Sequence, residues 1–296
     1  MFTLAHLSDP HLGPLPRPRL RELASKRAIG FLNWHRRRKI IHRGEILEPL
    51  VADLKAQAPD HIALTGDLVN IALPSEFSSS RVWLDALGPA RDVTFVPGNH
   101  DFYIRRTARQ PHSHWGDFMR GDGEAPDEFP FLRRRGPLAL IGLSSAVPTP
   151  LFMATGLVGD AQLARLAGLL DRLAGEDLFR VVLIHHPPVS KPIHRFKRLL
   201  DSAELRAILK THGADLVLHG HDHLHSVVYL DGPKGKIPTV GVPSASAAGG
   251  EEDPAAYNLY RIERATDGWR CEAITRGFRR GQASIGELTR RMLIEA

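Results

Sequence analysis

The sequence lacks the features that mark secreted and membrane-embedded proteins. Its 296 residues include one cysteine, Cys271, so no intramolecular disulfide can form, which fits a reducing compartment. No apolar stretch approaches the roughly 20 residues that a membrane-spanning helix requires, and residues 1 to 7 contain no basic leader followed by a long apolar core. Because candidate site residues begin at Asp9, we expect no cleavable signal and an intact amino end. These absences favour a cytoplasmic protein that at most contacts the inner membrane peripherally.

The sequence also has fewer acidic than basic residues. The 39 Lys and Arg residues outnumber the 33 Asp and Glu residues and give a formal net charge of +6, which favours anionic partners. Taken one at a time, the basic clusters predict solvated faces; they lie at residues 17–43, 105–109, 133–135, 195–198 and 276–280. These runs lack the interleaved aromatic residues of single-strand binding platforms, so nucleic acid is a disfavoured partner.

What the sequence does contain is a series of apolar runs that each end in Asp, Asn or His. The central run covers residues 93 to 96 and is followed, after Pro97, by Gly98-Asn99-His100-Asp101. Four more runs end in the same way, in Asp9-Pro10-His11, Gly66-Asp67, His185-His186-Pro187 and Gly220-His221-Asp222-His223. Turn chemistry alone explains one such end. Five of them predict one site at the carboxyl ends of the strands of an α/β sheet.

The order of the predicted elements indicates an α/β domain of two packed mixed sheets with helices outside. Strands over 2–7, 61–65 and 93–96 alternate with helices near 45–57 and 75–87, and Ser75 is the expected cap of the second helix. Strands over 138–144, 181–184 and 216–218 alternate with helices near 160–173 and 203–209. Short strands near 226–230, 237–242, 257–262 and 269–274 follow. The chain should end in a helix from Ser284 that carries Ile285, Leu288, Met292 and Leu293 on one face.

Residues 1–296 are therefore expected to form a single domain, interrupted by two segments. One is a basic helical insertion near 14–43, and the other is an irregular excursion over the site near 105–130. In the insertion, an apolar stripe lies at helical spacing among Arg and Lys residues: Leu20, Leu23, Ala24, Ala28, Phe31 and Leu32, with Trp34 near its end. Such a stripe either packs on its own domain or forms a lid or interfacial helix that meets an amphiphilic anionic substrate or anionic lipid.

The residues at the strand ends are suited to a transition-metal centre. Carboxylates, an amide and imidazoles without a thiolate suit Mn, Fe or Zn better than copper or an iron–sulfur cluster. The candidate ligands are Asp9, His11, Asp67, Asn99, His185, His221 and His223. Seven ligands exceed what one catalytic ion with an open position requires, so we expect two divalent ions. If one carboxylate bridges them, they would lie about 3.5–4 Å apart.

At these residues the sequence resembles the calcineurin-like binuclear metallophosphoesterases. The five blocks of that family, Asp-x-His, Gly-Asp, Gly-Asn-His-Asp, His-x-Pro and Gly-His-x-His, occur in order between residues 9 and 223. The resemblance implies a four-layered α/β/β/α sandwich. It also implies that Asp9, His11 and His223 hold one metal, that Asn99, His185 and His221 hold the other, and that Asp67 bridges them. The block Gly66-Asp67-Leu68-Val69-Asn70 looks most like the bacterial cyclic-nucleotide and glycerophosphodiester phosphodiesterases.

The predicted activity is hydrolysis of phosphoesters, with phosphodiesters as the favoured substrates. A water between two divalent ions loses its proton near neutral pH, and the resulting hydroxide can attack phosphorus. His100 is the candidate that protonates the leaving oxygen or neutralises phosphoryl charge, and Asp101 is expected to fix the tautomer of His100. His186 and Asn70 are candidate substrate contacts, although a core-bonded role fits His186 as well. His42 and His219 have no motif that assigns them to the site.

Three other functions remain open at this stage. The substrate could be lipid-linked, with a pyrophosphohydrolase or phosphodiesterase acting at the membrane surface. A nuclease would explain the basic charge, and a non-catalytic scaffold could share the fold, although a scaffold should have lost ligands and none is missing here. The oligomeric state is left open.

Overall fold

The protein is described here by a computed structural model that covers residues 1–123, 128–190, 195–249, 253–279 and 284–295. These residues include two six-stranded mixed sheets. The first sheet has the order β12-β11-β10-β1-β2-β3, with strands β1 (Phe2–Leu7), β2 (His61–Leu64), β3 (Val93–Phe95), β10 (Ala256–Arg264), β11 (Trp269–Phe278) and β12 (Ile285–Ile294). The second has the order β4-β5-β6-β7-β9-β8, with strands β4 (Phe131–Arg135), β5 (Leu138–Gly142), β6 (Phe179–Leu183), β7 (Leu216–His219), β8 (Ser226–Gly232) and β9 (Gly235–Gly241).

Helices connect the parallel strands of both sheets. The α-helices are α1 (Arg27–Asn33), α2 (Lys39–Ile41), α3 (Gly44–Ala56), α4 (Pro74–Leu87), α5 (Gln110–Trp115), α6 (Asp160–Leu173) and α7 (Ser202–His212). Strands β1, β2 and β3 are mutually parallel neighbours, as are β5, β6, β7 and β9. Parallel neighbours cannot be joined by a tight hairpin, so helices cross over between them, except that β8 joins β7 to β9.

The central strands of the second sheet are apolar on both faces because both faces are covered. Val181 and Leu183 of β6 belong to the core shared by the two sheets, whereas Val182 of β6 and Ile184 directly after it belong to a second core. Leucines of α6 and α7, such as Leu166 and Leu209, complete that second core. Successive side chains of a strand point to opposite faces, so a continuous apolar run is the pattern of a strand buried on both sides. The structure confirms the predicted sandwich of two mixed sheets with flanking helices.

The prediction that Ser75 caps α4 is wrong. The helix begins one residue earlier, with Pro74 in the first turn and Leu73 as the extended residue before it. Glu76 supplies the cap instead, because its carboxylate accepts hydrogen bonds from the backbone N–H groups of Leu73 (2.8 Å) and Asn70 (2.6 Å). Proline suits the first position of a helix because its ring fixes a helical φ angle. It has no backbone N–H, and an N–H at that position would have no partner inside the helix.

The predicted carboxyl-terminal helix is also wrong, because residues 285 to 294 form strand β12. This strand pairs antiparallel with β11, and the pairing contains two register shifts, next to Glu272 and Arg276. Each shift changes which residues face the core, so the apolar residues do not alternate strictly and their spacing imitates a helix. The segment forms a strand because its backbone hydrogen-bonds to N–H and C=O groups along the edge of β11 that would otherwise be unpaired.

The excursion after the site is more regular than expected. Its described part contains α5 flanked by two short 3₁₀ turns, Arg105–Thr107 and Gly116–Phe118. Trp115 and Phe118 are fully buried, and the Trp115 ring contacts Phe77 of α4 and Phe95 of β3. The segment therefore extends the core at the β3 edge of the sheet. Residues 124 to 127 of the predicted excursion lie outside the described residues.

The prediction of a solvated face at residues 133–135 fails at Arg133. Its side chain is buried within β4, and its guanidinium donates to the carbonyl oxygens of Ala90 and Val93 at 2.7 Å and of Asp117 at 2.6 Å. A planar guanidinium with five N–H donors can satisfy several carbonyls at once. Arg133 thus joins the excursion to the start of β3.

The basic insertion is helical over less of its length than the stripe predicts. A 3₁₀ turn covers Leu20–Glu22, and helix begins at Arg27, continues through a π-helical turn at Trp34–Arg38 and ends at Ile41. Trp34 is buried, whereas Leu20 is 90% exposed and Leu32 is 46% exposed. The stripe is therefore divided: one part packs on the domain and another part faces outward.

Within the described residues, no helix is both long enough and apolar enough to cross a membrane.

An ion pair between Asp53 of α3 and Arg276 of β11 joins the helix to the first sheet, and its removal tests that packing. The Asp53 carboxylate accepts from the Arg276 guanidinium at 2.8 and 2.9 Å and from the Tyr257 hydroxyl at 2.5 Å. The hydrogen bond from Arg276 holds the pKa of Asp53 below its usual value against the opposing effect of burial. A depressed carboxyl pKa stabilises the folded state above the unfolded pKa, and that contribution disappears as the pH falls through the folded pKa.

We predict that Arg276→Ala lowers the free energy of unfolding at pH 7 by about 1 kcal/mol. The difference from wild type should shrink as the pH falls below about 4, the ordinary Asp value, and through the depressed pKa of the folded Asp53 carboxyl. Urea unfolding at several pH values measures it, and Arg91→Ala, which removes an exposed ion pair with Asp92, is the control. A difference that does not change with pH would contradict the role of Asp53.

Candidate active site

The site lies where the carboxyl ends of strands from both sheets meet. Asp9 and His11 follow β1, Asp67 follows β2, Asn99 follows β3, and His185, His221 and His223 follow β6 and β7. Backbone hydrogen bonds hold the ends in register, including those from Asp9 N to Gly66 O and from His11 N to Asp67 O, both at 3.0 Å. The structure brings together all seven side chains that the sequence predicts as metal ligands.

One group of donors consists of Asp9, His11 and His223. The Nε2 atoms of His11 and His223 are 3.3 Å apart, and His223 Nε2 is 3.2 Å from Asp9 Oδ1. The Asp9 and His11 side chains are fully buried, and the His223 side chain is nearly so. This is the set that the resemblance assigns to the first metal.

A second group consists of His185, Asn99 and His221. His185 Nε2 lies 3.2 Å from Asn99 Oδ1 and 3.2 Å from His221 Nδ1. The opposite ring nitrogens are bonded to the backbone: His185 Nδ1 donates to Thr65 O at 2.6 Å and His221 Nε2 donates to Lys197 O at 2.8 Å. These bonds fix each tautomer and leave the nitrogen that faces the group free of a proton in the neutral ring.

Asp67 stands between the two groups. Its Oδ2 atom is 3.8 Å from His11 Nε2 and 3.5 Å from His185 Nε2, and its Oδ1 accepts the His100 backbone N–H at 2.7 Å. One carboxylate oxygen therefore faces the donors of both groups. This is the placement that a bridging ligand requires.

Several of the predicted ligands have a strained backbone. Asp9, His11, Asp67, His221 and His223 all have positive φ, between 40° and 72°. Residues with a side chain rarely adopt this region, and holding one there costs on the order of 1 kcal/mol or more. The surrounding sheets maintain these conformations, which aim the side chains of each Asp-x-His and His-x-His pair into the same space.

Glycine is required at two points of close approach. A Cβ atom on Gly98 would collide with Asp67, and one on Gly220 would collide with Ser8 and Asp9. The loops after β3 and β7 can therefore approach the carboxylates only because these positions have no side chain.

The electrostatics of the pocket fit a divalent cation. Burial raises the pKa of Asp67, but the charges of His185 and His100 and the hydrogen bonds from both residues together outweigh burial, so the net shift is downward. Burial lowers the pKa of His185, yet the carboxylates of Asp67 and Asp9 raise it to about 10. A proton on His185 thus partly balances two buried carboxylates in the metal-free protein. Metal ions take the place of such protons when they bind, and the oxygen and imidazole donors suit Mn, Fe or Zn.

Asp101 does not contact the ring of His100 as expected. Its carboxylate accepts hydrogen bonds from four backbone N–H groups, those of Asp67 (2.9 Å), Leu68 (2.9 Å), Val69 (3.2 Å) and Gly98 (2.8 Å). These amides lie at the ends of β2 and β3, and the buried carboxylate joins the two loops. The predicted role in fixing the tautomer of His100 is wrong, because His100 Nδ1 donates to the Asn70 carbonyl instead.

Arg38 is a residue of the site that the sequence did not identify. Its guanidinium lies 2.9 Å from His100 Nε2 and 3.0 Å from His11 Nε2. Burial, followed by the charge of Arg38, lowers the pKa of His100 to about 3, so the ring is neutral and its Nε2 accepts the Arg38 proton. The insertion therefore places a cation directly beside the predicted catalytic histidine.

His42 is the second such residue. Its ring centre lies 4.5 Å from that of His11 and 5.4 Å from that of His223, and the three form a compact group of potential ligands. Its Nδ1 is 3.0 Å from Ser246 Oγ. No signal in the sequence marks the pair, because His42 lies just beyond the end of α2 in extended backbone and helical spacing does not place it on one face with Arg38.

The two predicted substrate contacts have protein partners. His186 Nδ1 lies 2.8 Å from Ser145 Oγ, and His186 Nε2 donates to Ala154 O at 3.1 Å. Asn70 Nδ2 donates to Leu12 O at 2.8 Å, and its Oδ1 is buried with no hydrogen-bond partner among the described residues. The geometry favours the core-bonded alternative for His186. His219 is buried beneath the site, in keeping with the structural role expected of it.

Comparison with known proteins supports the resemblance. The model of the calcineurin-like phosphoesterase family matches residues 2–225. A probable cyclic nucleotide phosphodiesterase from Synechococcus sp. is 30% identical over 244 residues, which cover 78% of this chain and 84% of the relative.

Two solved structures show the same fold. A dimetal phosphatase from Danio rerio has a TM-score of 0.61 at 13% identity, covering 99% of this chain and 98% of that chain. A purple acid phosphatase from yellow lupin (Lupinus luteus) seeds has a TM-score of 0.60 at 12% identity, covering 93% of this chain and 51% of that chain. Because the family match contains all seven predicted ligands, the chain belongs to the calcineurin-like phosphoesterase family and is a metal-dependent phosphoester hydrolase.

Proposed function

We propose that the protein hydrolyses phosphodiesters by attack of a water molecule activated between two divalent metal ions. The observation that carries the proposal is the position of Asp67, whose Oδ2 faces His11 and His185 from the two donor groups at 3.8 and 3.5 Å. The family and its dimetal members imply two ions. When bound, they would supply a water with a pKa near neutrality and a positive charge for the phosphoryl oxygens.

Each of the two groups of donor residues described above would hold one ion. Asp9, His11 and His223 would hold one, and Asn99, His185 and His221 the other. His42 adjoins the first set and His186 the second. The backbone partners of His185 and His221 orient the ring nitrogens before a metal arrives, so little reorganisation is needed.

His100 and Arg38 supply the remaining polar groups. His100 lines the cleft beside the metal ligands, and its Nδ1 is held by the Asn70 carbonyl, so Nε2 is the atom available to a leaving group. Arg38 donates to that atom and can neutralise phosphoryl charge as a planar, permanently charged donor. If a phosphate oxygen takes over the Arg38 hydrogen bonds, His100 Nε2 can take up a proton and, as an imidazolium, donate it to the leaving oxygen.

A diester is preferred over other phosphoesters for two reasons. The Synechococcus relative is described as a probable cyclic nucleotide phosphodiesterase, and the Gly66-to-Asn70 block resembles the bacterial phosphodiesterase class. Location in the cytoplasm, peripheral contact with anionic lipid and the disfavouring of nucleic acid as a partner stay predictions from the sequence, and the oligomeric state stays open.

We predict that the protein reconstituted with Mn²⁺ binds two ions per chain, because two donor groups share Asp67. Asp67→Asn should reduce the stoichiometry toward one and abolish most turnover of bis-p-nitrophenyl phosphate. Elemental analysis and activity are measured together. Asp222→Asn, in the same turn as two ligands but outside both sets, is the control and should keep both ions. One ion per wild-type chain with full activity would contradict the bridge.

We predict that His100→Asn keeps the metal content but lowers turnover of a diester with a poor alcohol leaving group by about 10²–10⁴-fold. With p-nitrophenolate as the leaving group the loss should be smaller, since that anion departs without a proton. His35→Asn, on the exposed side of the insertion, is the matched control. Equal losses on both substrates would assign His100 to charge stabilisation and not to protonation.

We predict that Asp101→Asn lowers the free energy of unfolding by about 2–4 kcal/mol. The amide NH₂ would replace a carboxylate oxygen that accepts two buried N–H groups, and both would lose their partner. Metal affinity should fall as well, because the two loops carry Asp67 and Asn99. Thermal unfolding and metal titration measure these effects, with exposed Asp85→Asn as the control. Full stability and metal content with lost turnover would instead place Asp101 in the chemical step.

A further inference from the structure

A cleft with apolar walls opens beside the metal ligands. It has a volume of about 720 Å³, and Asn99, His100 and Tyr103 form the part nearest the site. Its outer walls carry Ile29 and Leu32 of the insertion, Leu151 and Phe152 of the loop after β5, and Phe196. A cleft of this size is typical of sites that enclose a small ligand.

The apolar side chains of this cleft are unusually exposed. Phe152 is 80% exposed, Phe196 is 51% exposed and Leu32 is 46% exposed, with Ile29 and Leu151 at 41% and 42%. Single exposed apolar residues are common on protein surfaces and need no explanation. Several around one cavity form a patch of the kind that marks a binding site. Phe152 also has φ of 63°, which is uncommon for a bulky residue, and a site is one place where such strain persists.

The walls of the cleft are tied to one another. Lys26 of the insertion donates to Thr149 O at 3.0 Å, and its ammonium lies 4.2 Å from the centre of the Tyr103 ring. Ala154 N donates to Phe196 O at 2.8 Å, which joins the loop after β5 to the segment that carries Phe196. The cleft is thus built before a ligand arrives, which lowers the cost of ordering on binding.

Charge defines the polar end of the ligand. Arg36 and Arg37 line the same cleft as Leu32, and Arg38 lies at the inner end beside His100. The buried site between the metal ligands suits a phosphoryl group, while the outer walls offer mainly apolar side chains and the cationic groups of Arg36 and Arg37. A ligand that matches both ends has a phosphoester at one end, an apolar chain at the other and net negative charge.

We propose that the substrate is an amphiphilic phosphodiester whose apolar chain lies between the insertion and the loop at residues 149–154. The assignment rests on the proposed phosphodiesterase activity for the reacting end only. Burying each methylene of a chain is worth about 0.8 kcal/mol, or roughly a four-fold gain in affinity. In a cleft that remains partly open to water the gain per methylene is smaller.

The experiment compares p-nitrophenyl methyl phosphate with p-nitrophenyl hexyl phosphate on the metal-loaded protein. The two substrates share the leaving group and differ only in the chain, and both are used below the concentration at which the hexyl ester forms micelles. We expect the hexyl ester to have a kcat/KM roughly 10–100-fold higher, mainly through a lower KM. In the double variant Leu32→Ser, Phe152→Ser this ratio should fall toward one. Both residues are exposed, so thermal unfolding should show an intact fold.

The matched control is Val82→Ser on α4, which removes an apolar side chain that is 69% exposed and outside the cleft. It should keep the wild-type ratio. Calorimetric binding of hexylphosphonate and methylphosphonate to the metal-loaded protein gives a second readout that does not require turnover.

The outcomes separate this proposal from the proposed function. Hydrolysis of both esters at equal kcat/KM, or a preference that survives the double variant, would overturn the cleft assignment and leave the phosphodiesterase intact. Turnover of neither ester together with tighter binding of hexylphosphonate would support the cleft and overturn the diesterase. A preference seen only above the micelle threshold would indicate adsorption to a lipid surface, which also overturns the cleft.

Discussion

The site depends on the burial of negative charge between two sheets. Asp9 and Asp67 are 0% and 2% exposed, and burying a carboxylate is costly unless cations and hydrogen-bond donors surround it. The imidazoles of His11, His185 and His223 gather around these two carboxylates. Converging nitrogen lone pairs and carboxylate oxygens form a place where a divalent ion is more favourable than a proton. The metal requirement of the enzyme is therefore a consequence of where the fold places its acidic groups.

Holding that arrangement requires a rigid frame. The carboxylate of Asp101 accepts hydrogen bonds from backbone N–H groups in the loops after β2 and β3, including that of Asp67. It therefore ties the loop that carries Asp67 to the loop that carries Asn99 through the backbone. Positive φ angles at Asp9 and Asp67 persist because parallel strands fix the residues on either side. Strain of this kind is tolerated where the surroundings over-determine the backbone.

The basic insertion links the chemistry to the choice of substrate. Arg27 is buried and donates to the carbonyls of Ile71 and Ala72, and Trp34 packs near Gly13, so one face of the helix is fixed to the domain. The same segment sends Arg38 inward to His100 and His11 and presents Ile29 and Leu32 to the cleft. The two interpretations of its apolar stripe, packing and substrate contact, therefore apply to different residues of one helix. A π-helical turn at Trp34–Arg38 changes the direction of the side chains at the point where they diverge.

The sequence alone determined the sandwich and the seven candidate ligands, because strand ends that break from apolar runs into Asp, Asn and His are a local pattern. The sequence also predicted α6 with the bounds Asp160–Leu173 that the structure has, since the spacing of apolar residues along a long amphipathic helix is a local pattern. The tertiary structure decided what depends on contacts between distant residues. β12 became a strand because the edge of β11 needed partners. Asp101 bonds to amides at the end of another strand, and Arg133 is buried among carbonyls from the excursion and the start of β3. Arg38 and His42 reach the metal ligands only because the insertion packs against the loops after β2 and β9, and no spacing along the chain encodes that approach.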